Sequence, residues 1–339
     1  MNYLSVCSGV EAATVAWHPL GWKPLAFSEI EKFPSEVLAH HYPATPNLGD
    51  MTKYKEWNFG TDRLDLLVGG TPCQSFSVAG LRKGLDDPRG NLALVYCGIL
   101  DKFRPKWFVW ENVPGVLSSG GGRDFGSFLG AVAELGYGFS YRVLDAQYFG
   151  VAQRRKRVFV VGHLARWEPT AKVLFERESL SGNTEKGQRK KQNSARNVAQ
   201  SIVYENHPSD SRVKEMGEIC QTVTSSWGTG GGNIPFVQAY GFEPGITKRE
   251  GNPNRFNQEL SPTLRARMGD NQASMANSMA VRRLTPIECE RLQGFPDDYT
   301  NIKDKCPDGP RYKAMGNSMA VPVMQWIGKR IQMIEDGLL

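Results

Sequence analysis

The sequence is short of the residues that build metal sites, disulfide frameworks and membrane anchors. Its 339 residues include six cysteines, with no C-x-x-C pair, and five histidines. This usage predicts free thiols in a reducing, intracellular environment and no structural zinc. No apolar run approaches the roughly 20 residues that span a bilayer, and the start, "MNYLSVCSG", lacks a basic segment followed by a long apolar stretch. We therefore expect a soluble protein.

Neither sign of charge dominates the chain. The 41 basic and 35 acidic residues give a formal net charge of +6, with a pI near 8.9. This mild excess permits a polyanionic partner without requiring one. The length suffices for one large hydrophobic core and a second, smaller lobe.

The patterning changes twice along the chain. Short apolar runs alternate with amphipathic stretches up to about residue 165 and predict an α/β fold with a doubly wound, mainly parallel sheet, in which ligands bind at the carboxyl ends of the strands. Residues 166–280 are polar and rich in glycine and proline turns, which predicts a smaller, loop-rich lobe. Helical spacing then resumes, and the last helix should pack on the first lobe. The predicted domains are 1–165 plus 281–339, and 166–280.

One cysteine has unusual surroundings. In "GGTPCQSFSVAG", Cys73 follows an apolar strand, and two glycines and Pro72 shape the loop that would present its thiol at the mouth of the sheet. A free thiol has a pKa of about 8.5 and needs nearby positive charge to be a nucleophile at neutral pH, which "AQRRKRVFVVG" could supply. The ordinary interpretation, a small buried hydrophobic residue, suits Cys97, Cys220 and Cys289 better.

A carboxyl group ends a second apolar strand. In "WFVWENVPG", Glu111 and Asn112 could simply be polar residues in solvent at a strand end. If Glu111 instead faces the same cleft as Cys73, burial would raise its pKa enough for it to donate a proton. A thiol beside a protonatable carboxyl group is an arrangement suited to acid-assisted addition.

Five segments, in this order, resemble motifs of the bacterial and phage DNA (cytosine-5)-methyltransferases: "GGTPCQSFSVAG", "ENVPG", "AQRRKRVFVVG", "RRLTPIECERLQGFP" and "YKAMGNSMAVP". The resemblance covers about residues 1–165 and 281–335 and implies the S-adenosylmethionine-dependent methyltransferase fold, with a target-recognition domain at 166–280. The implied activity is methyl transfer from S-adenosyl-L-methionine to carbon 5 of a specific cytosine in duplex DNA, with the base flipped out of the helix.

The resemblance also implies roles for individual residues. Cys73 would add to carbon 6 of the base, and Glu111 would hold the ring edge and protonate ring nitrogen 3. Arg155 and Arg157, which with Gln153 match a Gln-x-Arg-x-Arg motif, would hold the cytosine carbonyl and a nearby phosphate. The implied DNA-binding residues are Gln74, Ser75, Ser77 and Arg89 in the loop that would close over the base, and Thr263, Arg265 and Arg267 in "SPTLRARMG".

The implied cofactor contacts come from four segments. The residues that would contact the cofactor are Ser8, Gly9, Val10, Glu29, Ile30, Asp50, Met51, Asn317 and Ser318. The first of these segments departs from the family pattern, since Gly9 is the one usual glycine left, Cys7 replaces a phenylalanine, and Ser5 stands where aspartate is usual. Taken alone, Glu29 could be a helix-entry charge, and Asp50 and Asn317 could be caps.

The implied partner is double-stranded DNA, bound by a monomer in the cytoplasm of a bacterial or phage-infected cell. A cognate restriction endonuclease would fit the same family. Three alternatives remain open: a tRNA cytosine-5 methyltransferase with the same catalytic lobe, a non-catalytic DNA-binding relative, and a thiol hydrolase that pairs cysteine with histidine. The retained Cys73, Glu111, Glu29, Asp50 and Asn317 argue against the second, and the lack of a histidine motif beside Cys73 argues against the third.

Overall fold

A six-stranded sheet forms the centre of the protein, as a computed structural model describes it. The described residues are 1–72, 92–175, 203–206, 213–217, 219–225, 227, 236–238 and 281–339. The strands of this sheet are β1 Asn2–Val6, β2 Lys23–Ser28, β3 Leu66–Gly69, β4 Trp107–Asn112, β5 Tyr137–Asp145 and β6 Lys156–Leu164. Their order is β2-β1-β3-β4-β6-β5. The first four strands are mutually parallel, and β6 runs antiparallel to both of its neighbours.

Helices cover both faces of the sheet, which confirms the predicted α/β fold. They are α1 Ala12–Trp17, α2 Lys32–His41, α3 Leu92–Phe103, α4 Arg123–Glu134, α5 Glu168–Leu174, α6 Pro286–Gln293, α7 Asp308–Asn317 and α8 Val321–Glu335. Successive residues of a strand point to opposite faces, so Trp107 lies in the core on the α1 and α8 side while Phe108 lies in the core on the α3 and α4 side. None of the described helices is long and apolar enough to cross a membrane.

The last helix packs on the first lobe, as predicted from its apolar stripe. The indole N–H of Trp17 in α1 donates to the carbonyl of Met324 in α8 at 2.8 Å. At the other end of α8, the Trp22 indole donates to Gln332 at 2.7 Å. Buried indole groups need such acceptors, so these contacts fix the helix along its length and bring the preceding turn to the sheet.

The described part of the 166–280 region contributes to both lobes. Strands β7 Val203–Asn206, β8 Val213–Gly217 and β9 Phe236–Gln238 join β10 Val281–Arg283 in a four-stranded antiparallel sheet. Helix α5 instead packs against β5, β6 and α8. Cys220, Val223 and Trp227 belong to the large core. The division of the chain at 165/166 stays a prediction. Helix α5 and these three side chains come after residue 166 but pack with the large sheet.

Candidate active site

The predicted site residues that the structure describes lie at one edge of the large sheet. Parallel strands place their carboxyl ends together, so the residues after β1, β2, β3 and β4 meet there. Because β6 is antiparallel to β4, with Asn112 opposite Val158, its amino end reaches the same edge. This topology brings Arg155 and Arg157 to Glu111.

Glu111 and Arg157 form a largely buried ion pair. The Nε atom of Arg157 lies 3.1 Å from Oε1 of Glu111. Burial raises the pKa of the Glu111 carboxyl, while the charges of Arg157 and Arg155 oppose that rise. Burial is the larger influence, so the pKa of Glu111 lies above its usual value, which is the direction that a proton donor in this position requires.

The end of β4 fixes the chain that leads to Cys73. The Trp110 indole donates to Oγ1 of Thr71 at 3.0 Å, and the Asn112 amide donates to the Thr71 carbonyl at 2.9 Å. A Cβ added to Gly70 would lie 2.8 Å from Oε2 of Glu111, so the backbone passes directly beside that carboxyl group. Thr71 precedes Cys73 by two residues, and nothing in its sequence context indicated this anchoring role.

Arg155 lies beside this pair but binds backbone carbonyl groups. Its guanidinium donates to Val223 at 2.9 Å, to Gly316 at 3.0 Å and to Ser318 at 2.6 Å. Its Nε atom is buried without a hydrogen-bond partner among the described residues. The side-chain contacts of Arg155 therefore join its strand to two distant segments, one at Val223 and one at Gly316–Ser318, whereas Arg157 contacts the carboxylate.

Gln153 also bonds to the segment around Val223, which Arg155 contacts. Its Nε2 donates to the Leu292 carbonyl at 2.8 Å, and its Oε1 accepts from the Val223 backbone N–H at 2.8 Å. The neighbouring backbone also pairs in parallel, with Gln153 opposite Cys220. The sequence motif pointed to Gln153, but its partners are more than a hundred and about seventy residues away in the chain and no local pattern reveals them.

A second group of predicted residues surrounds the ends of β1 and β2. The Glu29 carboxylate accepts from the backbone N–H groups of Gly9 at 2.8 Å and Glu31 at 2.7 Å. Gly9 has a φ of +56°, and a Cβ added there would have no atom within 4 Å. Ile30 is 75% exposed. A carboxylate, an open glycine turn and an exposed apolar side chain are thus adjacent at the strand ends.

The other predicted cofactor residues in this segment support the loop itself. Ser8 is buried, and its hydroxyl donates to the Ser5 carbonyl at 2.9 Å. Val10 is buried, and its carbonyl accepts from the Tyr299 hydroxyl at 3.0 Å. Burial raises the pKa of the Cys7 thiol to about 12, and the charge of Glu29 adds to this rise. Cys7 is therefore a neutral thiol at neutral pH.

The remaining predicted cofactor contacts lie on two turns. Asp50 is exposed, and its carboxylate accepts from the Thr52 backbone N–H at 2.9 Å, which is a capping contact; Met51 beside it is buried. Asn317 is exposed at the end of α7, and Ser318 after it is buried. Arg155 binds the Ser318 carbonyl and thereby links this turn to the edge of the sheet.

Eight predicted site residues lie outside the described residues. They are Cys73, Gln74, Ser75, Ser77, Arg89, Thr263, Arg265 and Arg267.

Residues 1–333 match the family described as C-5 cytosine-specific DNA methylase. The chain belongs to this family. A protein of Escherichia phage P1 named DNA N-6-adenine-methyltransferase is 36% identical over 461 aligned residues, which cover 97% of this chain and 61% of the phage protein. The Type II methyltransferase M.HpaII of Haemophilus parainfluenzae is 28% identical, with 97% and 88% covered.

Solved structures agree on the fold of this C-5 cytosine-specific methylase family member. The crystal structure of S. pombe Dnmt2 matches with a TM-score of 0.64 and 16% identity, over 99% of each chain. A putative DNA modification methyltransferase encoded within an E. coli prophage matches with a TM-score of 0.55 and 17% identity, again over 99% of each chain. At these identities the likeness concerns the fold alone. The chain spans less than two thirds of the phage P1 protein.

Proposed function

We propose that this protein transfers a methyl group from S-adenosyl-L-methionine to carbon 5 of a specific cytosine in duplex DNA. The observation that carries the proposal is the buried Glu111–Arg157 pair, which lies against the backbone three residues before Cys73 in a C-5 cytosine-specific DNA methylase. Carbon 5 of cytosine is a poor nucleophile, so the reaction needs a thiolate, a proton donor and a polar partner for the base, which Cys73, Glu111 and Arg157 provide.

Each of these residues has one task in the proposed reaction. The Cys73 thiolate gives its electron pair to carbon 6 of the flipped-out base, while protonated Glu111 donates its proton to ring nitrogen 3, which leaves an enamine with a nucleophilic carbon 5. Arg157 binds the base carbonyl and holds Glu111 in place. After methyl transfer, loss of the carbon-5 proton restores the double bond and expels Cys73.

Arg155 acts as a positioning residue in this proposal. All three described acceptors of its guanidinium are backbone carbonyls, so it would hold Arg157 and the turn at Ser318 at a fixed separation. The contact with the base is therefore assigned to Arg157 and not to Arg155. The sequence motif alone does not distinguish between these two arginines.

The strand ends beside Gly9 suit the cofactor. The Glu29 carboxylate would accept from the ribose hydroxyls, Ile30 would cover the adenine, and the open side of Gly9 leaves room for the ligand backbone. Ser8, Val10, Asp50, Met51, Asn317 and Ser318 would complete this site. When bound, S-adenosylmethionine supplies an electrophilic methyl group on a sulfonium. The first cofactor segment departs from the family pattern at Ser5 and Cys7. These departures are compatible with the site because Cys7 is neutral and Ser5 is buried.

Target recognition is assigned to the 166–280 region, with Thr263, Arg265 and Arg267 reading base edges and Gln74, Ser75, Ser77 and Arg89 contacting the DNA around the flipped base. Arginine pairs are suited to guanine edges. We further propose a monomer that acts in the cytoplasm. Two of the relatives above carry names of DNA-modifying enzymes, which supports DNA as the substrate and a role beside a restriction endonuclease as one setting for it.

The test is methyl transfer by the purified chain from methyl-labelled S-adenosylmethionine to unmethylated duplex DNA and, in parallel, to unmodified tRNA. Digestion to nucleosides then separates 5-methylcytosine from N6-methyladenine, with Cys73→Ala as the blank. We expect cysteine-dependent 5-methylcytosine in DNA. Label on tRNA alone would favour the RNA alternative, and cysteine-independent N6-methyladenine would overturn the proposed chemistry.

A further inference from the structure

The segment around Ser8–Val10 contains a buried carboxyl group, that of Glu11, which the proposed reaction does not use. Glu11 is 1% exposed and follows Ser8–Val10 directly, with a φ of +68°. Its Oε1 accepts from the backbone N–H and the hydroxyl of Thr14, each at 3.1 Å. Its Oε2 is buried without a hydrogen-bond partner among the described residues. Half of this carboxyl group is therefore unsatisfied.

The neighbours of Glu11 do not neutralise it. Within the described part of the chain, the ionisable groups that act on it electrostatically are the Glu29 carboxylate and three tyrosine hydroxyls, and none is basic. The hydroxyls belong to Tyr3 on β1, Tyr42 after α2 and Tyr299 before α7. Burial raises the pKa of all three tyrosines, to about 12 for Tyr42, so they are neutral between pH 6 and 8.

The Ser5 hydroxyl lowers the pKa of Glu11 without forming a hydrogen bond of good geometry. It acts on the carboxyl group, but its oxygen, like Oε2 of Glu11, is buried and falls short of hydrogen-bond geometry. Desolvation by burial is the largest influence and raises the pKa of Glu11 to about 7, with the contacts to Ser5 and Thr14 opposing the rise and Glu29 adding to it. A carboxyl group in this state responds to any added charge nearby.

A charge held at the Ser8–Val10 loop acts electrostatically on the Glu11 carboxyl group. Glu29, whose carboxylate binds the N–H of Gly9, already raises the pKa of Glu11. A positive charge held by the same loop would act in the opposite direction. The methyl donor carries such a charge on its sulfonium, and the product S-adenosylhomocysteine has a neutral thioether in its place.

We infer that Glu11 is a specificity-determining residue for the methyl donor: its carboxyl group ionises when S-adenosylmethionine binds, and the anion favours this cation over S-adenosylhomocysteine. The proton goes to solvent, and no covalent bond of the ligand changes. The inference rests on the proposed function, because it takes the Ser8–Val10 loop as the cofactor site. It gives a chemical reason for a buried carboxyl group directly after the Ser8–Val10 loop.

Isothermal titration calorimetry tests this directly. Each ligand is titrated at pH 7 in two buffers of different ionisation enthalpy, and the difference in heat counts the protons released. Because the pKa of free Glu11 is about 7, linkage predicts release of about half a proton per S-adenosylmethionine, and less with S-adenosylhomocysteine. The affinity for S-adenosylmethionine should rise several-fold from pH 6 to pH 8, while the affinity for the product changes less.

Three variants complete the experiment. Glu11→Gln should release about half a proton less than wild type at pH 7, lose the corresponding part of the pH dependence and lose preference for the donor. Glu11→Gly tolerates the positive φ and should behave in the same way, so it keeps the test decisive if the glutamine variant folds poorly. His41, whose ring stacks on Tyr299 with centroids 4.0 Å apart, is the nearby control, and His41→Gln should keep the wild-type proton count.

The outcomes separate the two proposals. If wild type binds the donor with the same proton count as Glu11→Gln, the inference is wrong and the proposed function stands. If wild type binds neither ligand, the proposed cofactor is wrong and the inference falls with it.

Discussion

The Nε atom of Arg157 lies 3.1 Å from Oε1 of Glu111, and both side chains are mostly buried, with exposed fractions of 17% and 12%. Burial and the guanidinium act in opposite directions on the carboxyl group, since desolvation raises its pKa and the cation lowers it. A proton donor needs a pKa close to the working pH. In Glu111 burial outweighs the cation, so the pKa lies above its usual value, and Arg157 limits the rise.

Replacing Glu111 by glutamine tests its role as the proton donor. Glu111→Gln keeps the size and most of the polarity of the side chain but cannot donate the proton, so we expect single-turnover methyl transfer to slow by about 10²–10⁴-fold. Binding of duplex DNA, measured by fluorescence anisotropy, should change only a few-fold. An equal loss of DNA binding and of transfer would instead make Glu111 structural.

Removing the cation should move the pH profile in a defined direction. Arg157 lowers the pKa of Glu111, so in Arg157→Gln that pKa rises and the protonated form persists to higher pH. The alkaline limb of the kcat profile should therefore shift to higher pH, together with a lower maximum because the base loses a partner. Arg157→Lys keeps the positive charge and should leave the limb nearer its wild-type position. An unshifted limb in Arg157→Gln would show that another group controls it.

The sequence predicted the edge of the sheet better than the contacts made there. Alternating strands and helices place Glu29 and Glu111 at strand ends, since parallel strands bring their carboxyl ends together. The direction of β6 is not visible in its composition, yet it decides that Arg157 meets Glu111. The acceptors of Arg155 were also out of reach, because Val223, Gly316 and Ser318 are 68, 161 and 163 residues away along the chain.

Local patterns were also ambiguous where two roles coincide. Asp50 caps a turn, and this contact is compatible with either the capping or the cofactor interpretation. Glu11 gives no sequence signal at all, because its importance comes from burial beside Glu29 and from an unsatisfied oxygen, both of which depend on the folded chain.

Gly9 offers a test of the cofactor loop that is separate from stability. In Gly9→Ala the added Cβ would meet no protein atom within 4 Å, so the free energy of unfolding should fall only by about 1–2 kcal/mol, the cost of a left-handed alanine. The same Cβ would enter the space assigned to S-adenosylmethionine, and its affinity should fall by at least about tenfold, which corresponds to about 1.4 kcal/mol.

The matched control for Gly9 is Gly21, which has a φ of +72° and equally open surroundings but precedes the amino end of β2, away from the carboxyl ends of the strands. Gly21→Ala should cost similar stability and leave binding of S-adenosylmethionine unchanged by calorimetry. Equal losses of affinity in both variants would mean that Gly9 acts only through the fold.

Replacing Gly316 tests the contact between the 219–225 segment and the end of α7. A Cβ added there would lie 2.1 Å from the backbone of Thr224 and Ser225, a distance that backbone atoms cannot accept, so Gly316→Ala must displace the 219–225 segment from α7. Overpacking of this kind costs roughly 1–3 kcal/mol or more, measurable by urea unfolding. Because Arg155 binds both Val223 and Gly316, methyl transfer should fall in the same variant even where it remains folded.

Gly130 supplies the comparison for Gly316 within a helix. It lies exposed in α4 with no atom within 4 Å of an added Cβ, so Gly130→Ala should stabilise the protein by about 0.5–1 kcal/mol and leave activity unchanged. Normal stability and transfer in Gly316→Ala would show that the 219–225 segment can leave α7 without consequence. The contacts that Gln153 and Arg155 make with the 219–225 segment would then be packing contacts that do not position the catalytic residues.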